Sequence, residues 1–271
     1  MIKKLLLILT FFIMLMPVYF MVVMSFQDIS GVVKMPPDLI PNNATMMNYI
    51  RLLDSPLLRW LINTILIVLS GTLLSVLLSS MAAYSFAFFQ FPYKKILWAI
   101  LLVGIMIPRI SLVIPSYVVI KKMGLSGTMW AVILSVAYSP GNLYLARVYF
   151  ETVPKSLLES ARLDGANEFQ ILYKIVMPMS KPIITSLSLF TAIGYLGDYL
   201  WQMLVLQSPE RQTLLVGLIK SSQALGNTIM TGMNPLGYRM AVGVALLFPL
   251  LVIFLIANKY FIQDIGGAEK G

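Results

Sequence analysis

The stretch WLINTILIVLSGTLLSVLLSSMAAYSFAFF, residues 60–89, decides the class of this protein. It carries no charged side chain, and about 20 consecutive apolar residues are enough to cross a bilayer as a helix. Small residues recur along it and permit a neighbouring helix to approach closely; they are Gly71, Ser75, Ser79, Ala82 and Ala83. The stretch therefore predicts a membrane-spanning helix packed against other helices.

The rest of the chain has the same character. Of its 271 residues, 59% are hydrophobic and only 11% are charged, whereas about 25% of the residues of a soluble domain are charged. The net charge of +9 comes from basic residues scattered over the ends of the apolar runs, which is typical of membrane anchors and argues against a nucleic-acid interface. Because the chain has neither Cys nor His, nucleophilic and metal-dependent enzymes are disfavoured.

The apolar runs predict six membrane-spanning helices in a single all-α transmembrane domain over residues 1–271. Pro108 and Pro115 indicate kinks or an early end in the third span. The first run has no small-residue cleavage site after it, so we expect it to be retained as a span. An excess of Lys and Arg on one side favours both termini in the cytoplasm. The predicted spans cover about 5–26, 60–89, 96–118, 128–146, 183–206 and 238–260.

A polar segment, residues 147–182, interrupts the apolar runs and contains ESARLDGANEFQILYKIVMP, residues 159–178. We expect two short helices that meet at Gly165, the second ended by Pro178. Glu159 and Arg162 are spaced to pair on the first helix. Apolar residues follow helical spacing on each helix; they are Leu157, Leu158 and Ala161, then Phe169, Leu172, Tyr173 and Val176. This spacing fits either a connector on the lipid surface or an element that docks into a soluble partner.

This segment resembles the EAA loop of binding-protein-dependent ABC importer permeases, whose pattern is E-A-A-x-x-x-G followed by I-x-x-P. The matching residues are Glu159, Ser160, Ala161, Gly165, Ile175 and Pro178. Ser160 stands where the family has alanine, and DGA at 164–166 is typical of the carbohydrate branch. The ending NKYFIQDIGGAEKG, residues 258–271, and the stretch GDYLWQMLVL, residues 197–206, are similar to motifs of the maltose-type permeases.

The resemblance implies the fold and the partners of a type I ABC importer permease in the cytoplasmic membrane of a prokaryote. Such a subunit pairs with a second permease, here expected to be a different chain, and with two ATPase subunits that bind ATP and Mg²⁺. An extracytoplasmic binding protein delivers the solute. The chain itself is expected to bind no cofactor and no metal, and it has no G-x-x-x-x-G-K-[ST] phosphate-binding loop.

The resemblance also implies which residues would meet the ATPases. In the polar segment the expected coupling residues are Leu157, Leu158, Glu159, Ser160, Ala161, Leu163, Asp164, Gly165, Ala166 and Phe169. Leu157, Leu158, Ala161 and Leu163 would be the apolar docking side chains. A second contact is expected from the tail, residues 261–271, through Gly266, Gly267 and Lys270. In the family, the outer loop equivalent to residues 207–237 meets the binding protein.

Polar residues inside a span are candidates for a transport path. Asp198 is the acidic residue well inside the fifth predicted span, with aromatic neighbours that suit a sugar path, Tyr195, Tyr199 and Trp201. Asp198 could instead satisfy another helix or lie at the outer mouth, and Arg109 is expected at a mouth or between subunits. The solute stays open among mono-, di- and oligosaccharides and polyol phosphates such as glycerol-3-phosphate, and either permease of the pair could hold the membrane site.

Two other functions compete with the sugar permease. An ion-driven secondary transporter would act alone. Such proteins usually show more buried acidic residues or a repeat of broken helices, and this sequence shows neither clearly. An intramembrane enzyme is disfavoured because the predicted spans contain no paired carboxylates. We therefore expect a transport subunit rather than an enzyme.

Overall fold

A computed structural model of the protein describes residues 2–28, 39–41, 43–226 and 234–268. The all-α class is confirmed, since these residues form helices and no strand; a single bridge joins Gln27 to Ala44. The helices are α1 (Ile2–Ser25), α2 (Met47–Leu53), α3 (Leu57–Phe88), α4 (Lys94–Met106), α5 (Arg109–Lys122), α6 (Met129–Ala137), α7 (Pro140–Phe150), α8 (Lys155–Leu163), α9 (Glu168–Ile171), α10 (Met177–Met179), α11 (Lys181–Gly197), α12 (Tyr199–Val205), α13 (Leu214–Gly226) and α14 (Pro235–Ala268). A π-helical turn, Leu172–Val176, joins α9 to α10, and a 3₁₀ turn covers Pro209–Arg211.

Three of these helices are long and apolar enough to cross a membrane alone, over Lys3–Ser25, Leu57–Phe88 and Pro235–Val252. Two further candidates are bent pairs: α4 with α5 at 108°, and Glu168–Met179 with α11 at 87°. Counting each bent pair as one span gives five candidates among the described residues. The six-span count with both termini in the cytoplasm stays a prediction.

The helix breaks have local causes. Pro108 leaves the helical conformation, with ψ 127°, and separates α4 from α5, whereas Pro115 lies inside α5. Within the predicted fourth span the helix stops after Ala137 and restarts at Pro140, the first residue of α7. Ser139 caps this new helix by accepting a hydrogen bond from the Asn142 amide at 3.3 Å. The sequence predicts one span over about 128–146, and its apolar residues give no signal for this break in the helix.

The chain divides into two compact units, and the first comprises Met1–Ile62 and Gln212–Val252. Its core contains Trp60 of α3, Leu214 and Leu218 of α13, and Tyr238 and Val242 of α14. The polar stretch 207–237, expected as an outer loop, thus contains a helix with two buried leucines, Leu214 and Leu218. Residues 227–233 of that stretch lie outside the described residues.

The second unit comprises Asn63–Arg211 and Ile253–Gly271 and has two apolar cores. The first core gathers around Tyr195 and Trp201, and the second around Phe150, Leu158 and Ile171. Close packing of α3 against α11 supports the first core, because a Cβ atom at Gly71 would lie 2.3 Å from the Tyr195 ring. Gly71 therefore permits the close helix approach that the small residues of α3 predict.

Candidate functional site

The segment that resembles the EAA loop folds as two helices joined by a tight corner. α8 ends at Leu163, and Gly165 adopts a φ of +84°, a backbone conformation that favours glycine. The amide of Ala166 donates to the Ala161 carbonyl at 2.9 Å, and the amide of Gly165 donates to the Arg162 carbonyl at 3.0 Å. These bonds satisfy the end of α8 and confirm the expected corner at Gly165.

The second helix begins with a capping box and continues past the expected stop. The Gln170 amide donates to the Asn167 side chain, and the Asn167 amide donates to the Gln170 side chain, each at 2.9 Å. The helix then passes through the π turn and ends at Met179, so Pro178 lies inside its last turn. We attribute the π turn to Pro178, which lacks an amide hydrogen and crowds the preceding turn of a regular α-helix.

The two helices bury one set of apolar side chains and expose another. Leu158 is only 1% exposed and packs in the second core with Ile171, Leu172 and Val176. The expectation that Leu158 is a docking side chain was therefore wrong, because the fold of the chain already covers it. The large apolar side chains that remain on the surface are Leu157, Leu163, which is 89% exposed, Phe169, Tyr173 and Met179.

The remaining expected coupling residues divide in the same way. Ala161 and Ala166 are partly buried against the second core. Glu159, Ser160, Asp164 and Gly165 are exposed. The predicted stripe of Phe169, Leu172, Tyr173 and Val176 does not form one face, since Leu172 and Val176 are buried while the two aromatic residues are exposed. The π turn contributes to this division, because it shifts the helical phase that periodicity assumes.

A bidentate ion pair fixes the corner between the helices. Arg162 donates to the Glu168 carboxylate at 2.8 Å through Nε and at 3.2 Å through Nη2. The predicted partner of Arg162, Glu159, was therefore wrong, because the turn at Gly165 brings the start of α9 back beside the end of α8. Hydrogen bonding to Glu168 raises the pKa of the Arg162 guanidinium, and the same bonding lowers the pKa of the Glu168 carboxyl, which keeps the ion pair charged.

This ion pair is tied to a long helix of the second unit. The hydroxyl of Tyr84, in the last turns of α3, donates to the second oxygen of Glu168 at 2.5 Å. One carboxylate therefore joins α3, the end of α8 and the start of α9. Sequence reasoning missed both Tyr84 and Glu168, since their separation of 84 residues leaves no local signal.

A cavity of about 490 Å³ lies in the second unit where α11 gives way to α12. Asp198 occupies the break and caps α12, accepting from the Trp201 amide at 3.3 Å. The guanidinium of Arg109 lies 4.0 Å from the other Asp198 oxygen, and the Arg109 and Asp198 side chains are 68% and 20% exposed. The polar lining residues are Arg109, Ser116, Ser135 and Asp198, and Trp201 is the aromatic one.

The cavity contains only part of the expected path. Asp198 and Trp201 line it, whereas Tyr195 and Tyr199 are not among its lining residues. Tyr195 is 1% exposed and donates its hydroxyl hydrogen to the Ile133 carbonyl at 2.7 Å, so it is a core residue. Arg109, expected at a mouth or between subunits, lies in the cavity wall. Sequence reasoning missed Ser116 of α5 and Ser135 of α6, because they reach the cavity only through the packing of separate helices.

Comparison with known proteins identifies the chain. Residues 75–267 match the model of a family described as the binding-protein-dependent transport system inner membrane component. The chain belongs to this family. It is therefore a multi-pass membrane permease of the ABC importer type, and the resemblance drawn from the EAA-like segment is confirmed. Members of this family are transport subunits rather than enzymes, which decides between the three competing functions.

Relatives match over almost the whole permease. The sn-glycerol-3-phosphate transport system permease protein UgpE of Brucella abortus is 26% identical, covering 99% of this chain and 96% of the relative. The arabinooligosaccharides transport system permease protein AraQ of Bacillus subtilis is 30% identical, covering 86% of this chain and 82% of the relative.

Solved structures show the same fold. A chain of a bacterial ABC transporter involved in the import of the acidic polysaccharide alginate superposes with a TM-score of 0.83 at 24% identity, covering 96% of the permease and 95% of that chain. The MetNI methionine ABC transporter gives a TM-score of 0.54 at 20% identity, covering 75% of the permease and 93% of that chain.

The expected tail contacts lie at the edge of the described permease. Gly266 and Gly267 belong to the last turn of α14, and Lys270 lies outside the described residues. In the described ranges, no group of three or more Asp and Glu side chains could hold a metal ion.

Proposed function

We propose that this permease forms half of the translocation path of an ATP-driven importer for a sugar, an oligosaccharide or a related polyol derivative. The relatives named for glycerol-3-phosphate and arabinooligosaccharides, and the neighbour named for alginate, all transport polyhydroxylated solutes. The importer would contain a second, different permease and two ATPase subunits that bind ATP and Mg²⁺. An extracytoplasmic binding protein would deliver the solute to this importer, which would lie in the cytoplasmic membrane of a prokaryote.

The observation that carries this proposal is the cavity at Asp198. Its volume of about 490 Å³ falls in the range of roughly 300–1,000 Å³ that small-molecule sites occupy. The carboxylate can accept hydrogen bonds from solute hydroxyls, and Arg109 and Ser116 can donate them. The Ser135 hydroxyl donates to the Val132 carbonyl at 2.7 Å and can therefore only accept from a solute, and Trp201, which is 5% exposed, borders the cavity. Transporters often place such groups at a helix break near the membrane centre, as Asp198 is placed between α11 and α12.

The helix pair α8–α9 would couple this path to ATP hydrolysis. Leu157, Leu163 and Phe169 are exposed on a corner held rigid by Arg162 and Glu168, so they suit a cleft on an ATPase subunit. Glu159 would add a charge-assisted hydrogen bond there. Closure of the ATPases would then move the helix pair as a rigid body and open the path to alternate sides. The tail residues Gly266, Gly267 and Lys270 would add a second ATPase contact.

Transport by the assembled importer tests the cavity directly. The complex with its binding protein is reconstituted in vesicles, and uptake of radiolabelled solutes from a sugar and polyol panel is measured beside ATP hydrolysis. We expect Asp198→Asn to lower uptake about tenfold, the loss of one charge-assisted hydrogen bond, while the complex still assembles. Ser188→Ala is the matched control, because Ser188 lies on α11 and bonds only the Ile184 carbonyl, at 2.8 Å. Unchanged uptake by Asp198→Asn would exclude the cavity from the path.

A further inference from the structure

A second cavity, of about 700 Å³, lies at the turn between α3 and α4. Three cationic side chains line it, Lys94 and Lys95 at the start of α4 and Arg147 on α7. Its other lining residues are Gln90, Phe91, Tyr93, Ile96 and Trp98, so the described lining contains no carboxylate. Neither the transport path nor the helix pair uses these cations.

Two of the three cations, Arg147 and Lys94, make defined contacts with their surroundings. The guanidinium of Arg147 lies 3.9 Å from the centre of the Trp98 ring, a cation–π contact, and its Nε donates to Glu151 at 2.9 Å. Trp98 in turn packs against Phe86, with ring centres 5.3 Å apart. The Lys94 ammonium donates to the Phe89 carbonyl at 2.8 Å. Arg147 and Lys94 therefore have fixed positions in the pocket, and the exposed Lys95 lies beside them.

The position of the pocket indicates the membrane surface. It lies between the end of α3 and the start of α4, two apolar helices joined by the short turn 89–93. Trp and Tyr are enriched at membrane–water interfaces, and Tyr93 is exposed in this turn with a left-handed φ of 62°. A non-glycine residue in this conformation carries strain that its surroundings must support. The turn thus brings Tyr93 and two lysines together at the junction of two apolar helices.

An exposed apolar surface continues from the pocket along α4. Ile96, Ile100 and Val103 are exposed and lie at helical spacing on one face. The 13 residues of α4 extend about 20 Å, longer than the roughly 15 Å of hydrocarbon in one leaflet. A cationic pocket that opens onto such a face matches a molecule with an anionic head and apolar chains.

We propose that this pocket binds the headgroup of an anionic phospholipid, whose acyl chains lie along the exposed face of α4. Lys94, Lys95 and Arg147 would contact the headgroup phosphate, and Tyr93 and Trp98 would border its glycerol. A zwitterionic lipid would bind less well, because the pocket keeps two lysine charges besides the Arg147–Glu151 pair, and these would repel the ammonium group of the lipid. A soluble anion would contact the cations but would leave the apolar face of α4 unused.

Native mass spectrometry of the detergent-solubilised importer tests the proposal with phosphatidylglycerol and phosphatidylcholine of identical acyl chains. We expect the wild-type complex to retain phosphatidylglycerol preferentially. Each basic residue near an anionic surface contributes roughly fivefold in affinity, so Lys94→Gln with Lys95→Gln should weaken retention about 25-fold. Lys95→Gln alone should weaken lipid retention about fivefold. This single variant replaces the double variant as the test if the double variant fails to assemble. The control replaces the adjacent pair Lys121 and Lys122, at the end of α5, by Gln.

Four results would overturn the proposal. The wild-type complex could show no preference for phosphatidylglycerol, or the Lys121 and Lys122 control could lose as much lipid as the Lys94 and Lys95 variant. Inorganic phosphate at millimolar concentration could displace the lipid, which would make the pocket a site for a free anion. Finally, the Lys94 and Lys95 variant could lose its ATPase subunits while its lipid stays bound, which would make this surface a protein interface.

Discussion

The corner of the helix pair and the cavity at Asp198 both place an arginine beside a carboxylate, but the two pairs differ in every contact. Arg162 and Glu168 form two hydrogen bonds, and Tyr84 adds a third to the same carboxylate. Arg109 and Asp198 approach only to 4.0 Å, and the Arg109 side chain is 68% exposed. The first pair is saturated and holds two helices in one geometry. The second pair leaves donors and acceptors available to a solute.

Leu158→Ala should have the largest effect, because it removes a buried side chain beneath the fixed corner. A buried Leu→Ala change costs about 2–5 kcal/mol, so we expect a clear fall in the thermal unfolding temperature of the purified permease. Leu157→Ala is the matched control, since Leu157 is the next residue along the chain and is 43% exposed. That variant should keep its stability and bind the ATPase subunits more weakly. Equal loss of stability in both would mean that the corner is not supported by its core.

Gly165→Val should act on the angle of the same corner. A β-branched residue at a φ of +84° costs about 1–3 kcal/mol of strain, and we expect the helix pair to shift and ATPase association to fall at least tenfold. Gly124→Val is the control, because Gly124 has a φ of +71° in a turn outside the helix pair. Association is measured by co-purification at fixed salt. If both variants lost ATPase equally, general destabilisation rather than the corner would be the cause.

Tyr84→Phe should weaken the tie between α3 and the helix pair without removing the corner. The lost hydrogen bond is worth about 1 kcal/mol, because Glu168 is partly exposed. We expect ATPase association to persist while the amount of solute imported per ATP hydrolysed falls about twofold. Tyr149→Phe, elsewhere in the same unit, serves as the control. An unchanged transport ratio would show that motion reaches α3 by another contact.

The parts of the molecule that the sequence predicted well are those set by neighbouring residues. The apolar run 60–89 and its small residues predicted a packed spanning helix, and Gly71 meets Tyr195 as that packing requires. The corner at Gly165 was also predictable, since one residue determines it. Each of these features has its cause within a few residues along the chain.

The features that the sequence did not predict depend on distant contacts. Glu168 binds Arg162 and Tyr84 only after the corner has formed. Leu157 and Leu158 are adjacent residues of the same type. Only the packing of the second core buries Leu158 and leaves Leu157 exposed. Helix α13 was missed because its stretch looks polar, although Leu214 and Leu218 pack against Trp60.

Arg109→Gln should have the smallest effect on stability and therefore tests the looser pair most directly. An exposed pair contributes about 0–1 kcal/mol, so the unfolding temperature should hardly change. Solute uptake by the reconstituted importer should still fall several-fold, because a donor of the cavity is lost. Lys122→Gln, at the opposite end of α5, is the control for removing one charge. A fall in the unfolding temperature as large as that expected for a buried ion pair would show that Arg109 and Asp198 stabilise the fold. The difference between the two arginine pairs would then disappear, and with it the reason to assign binding to one and support to the other.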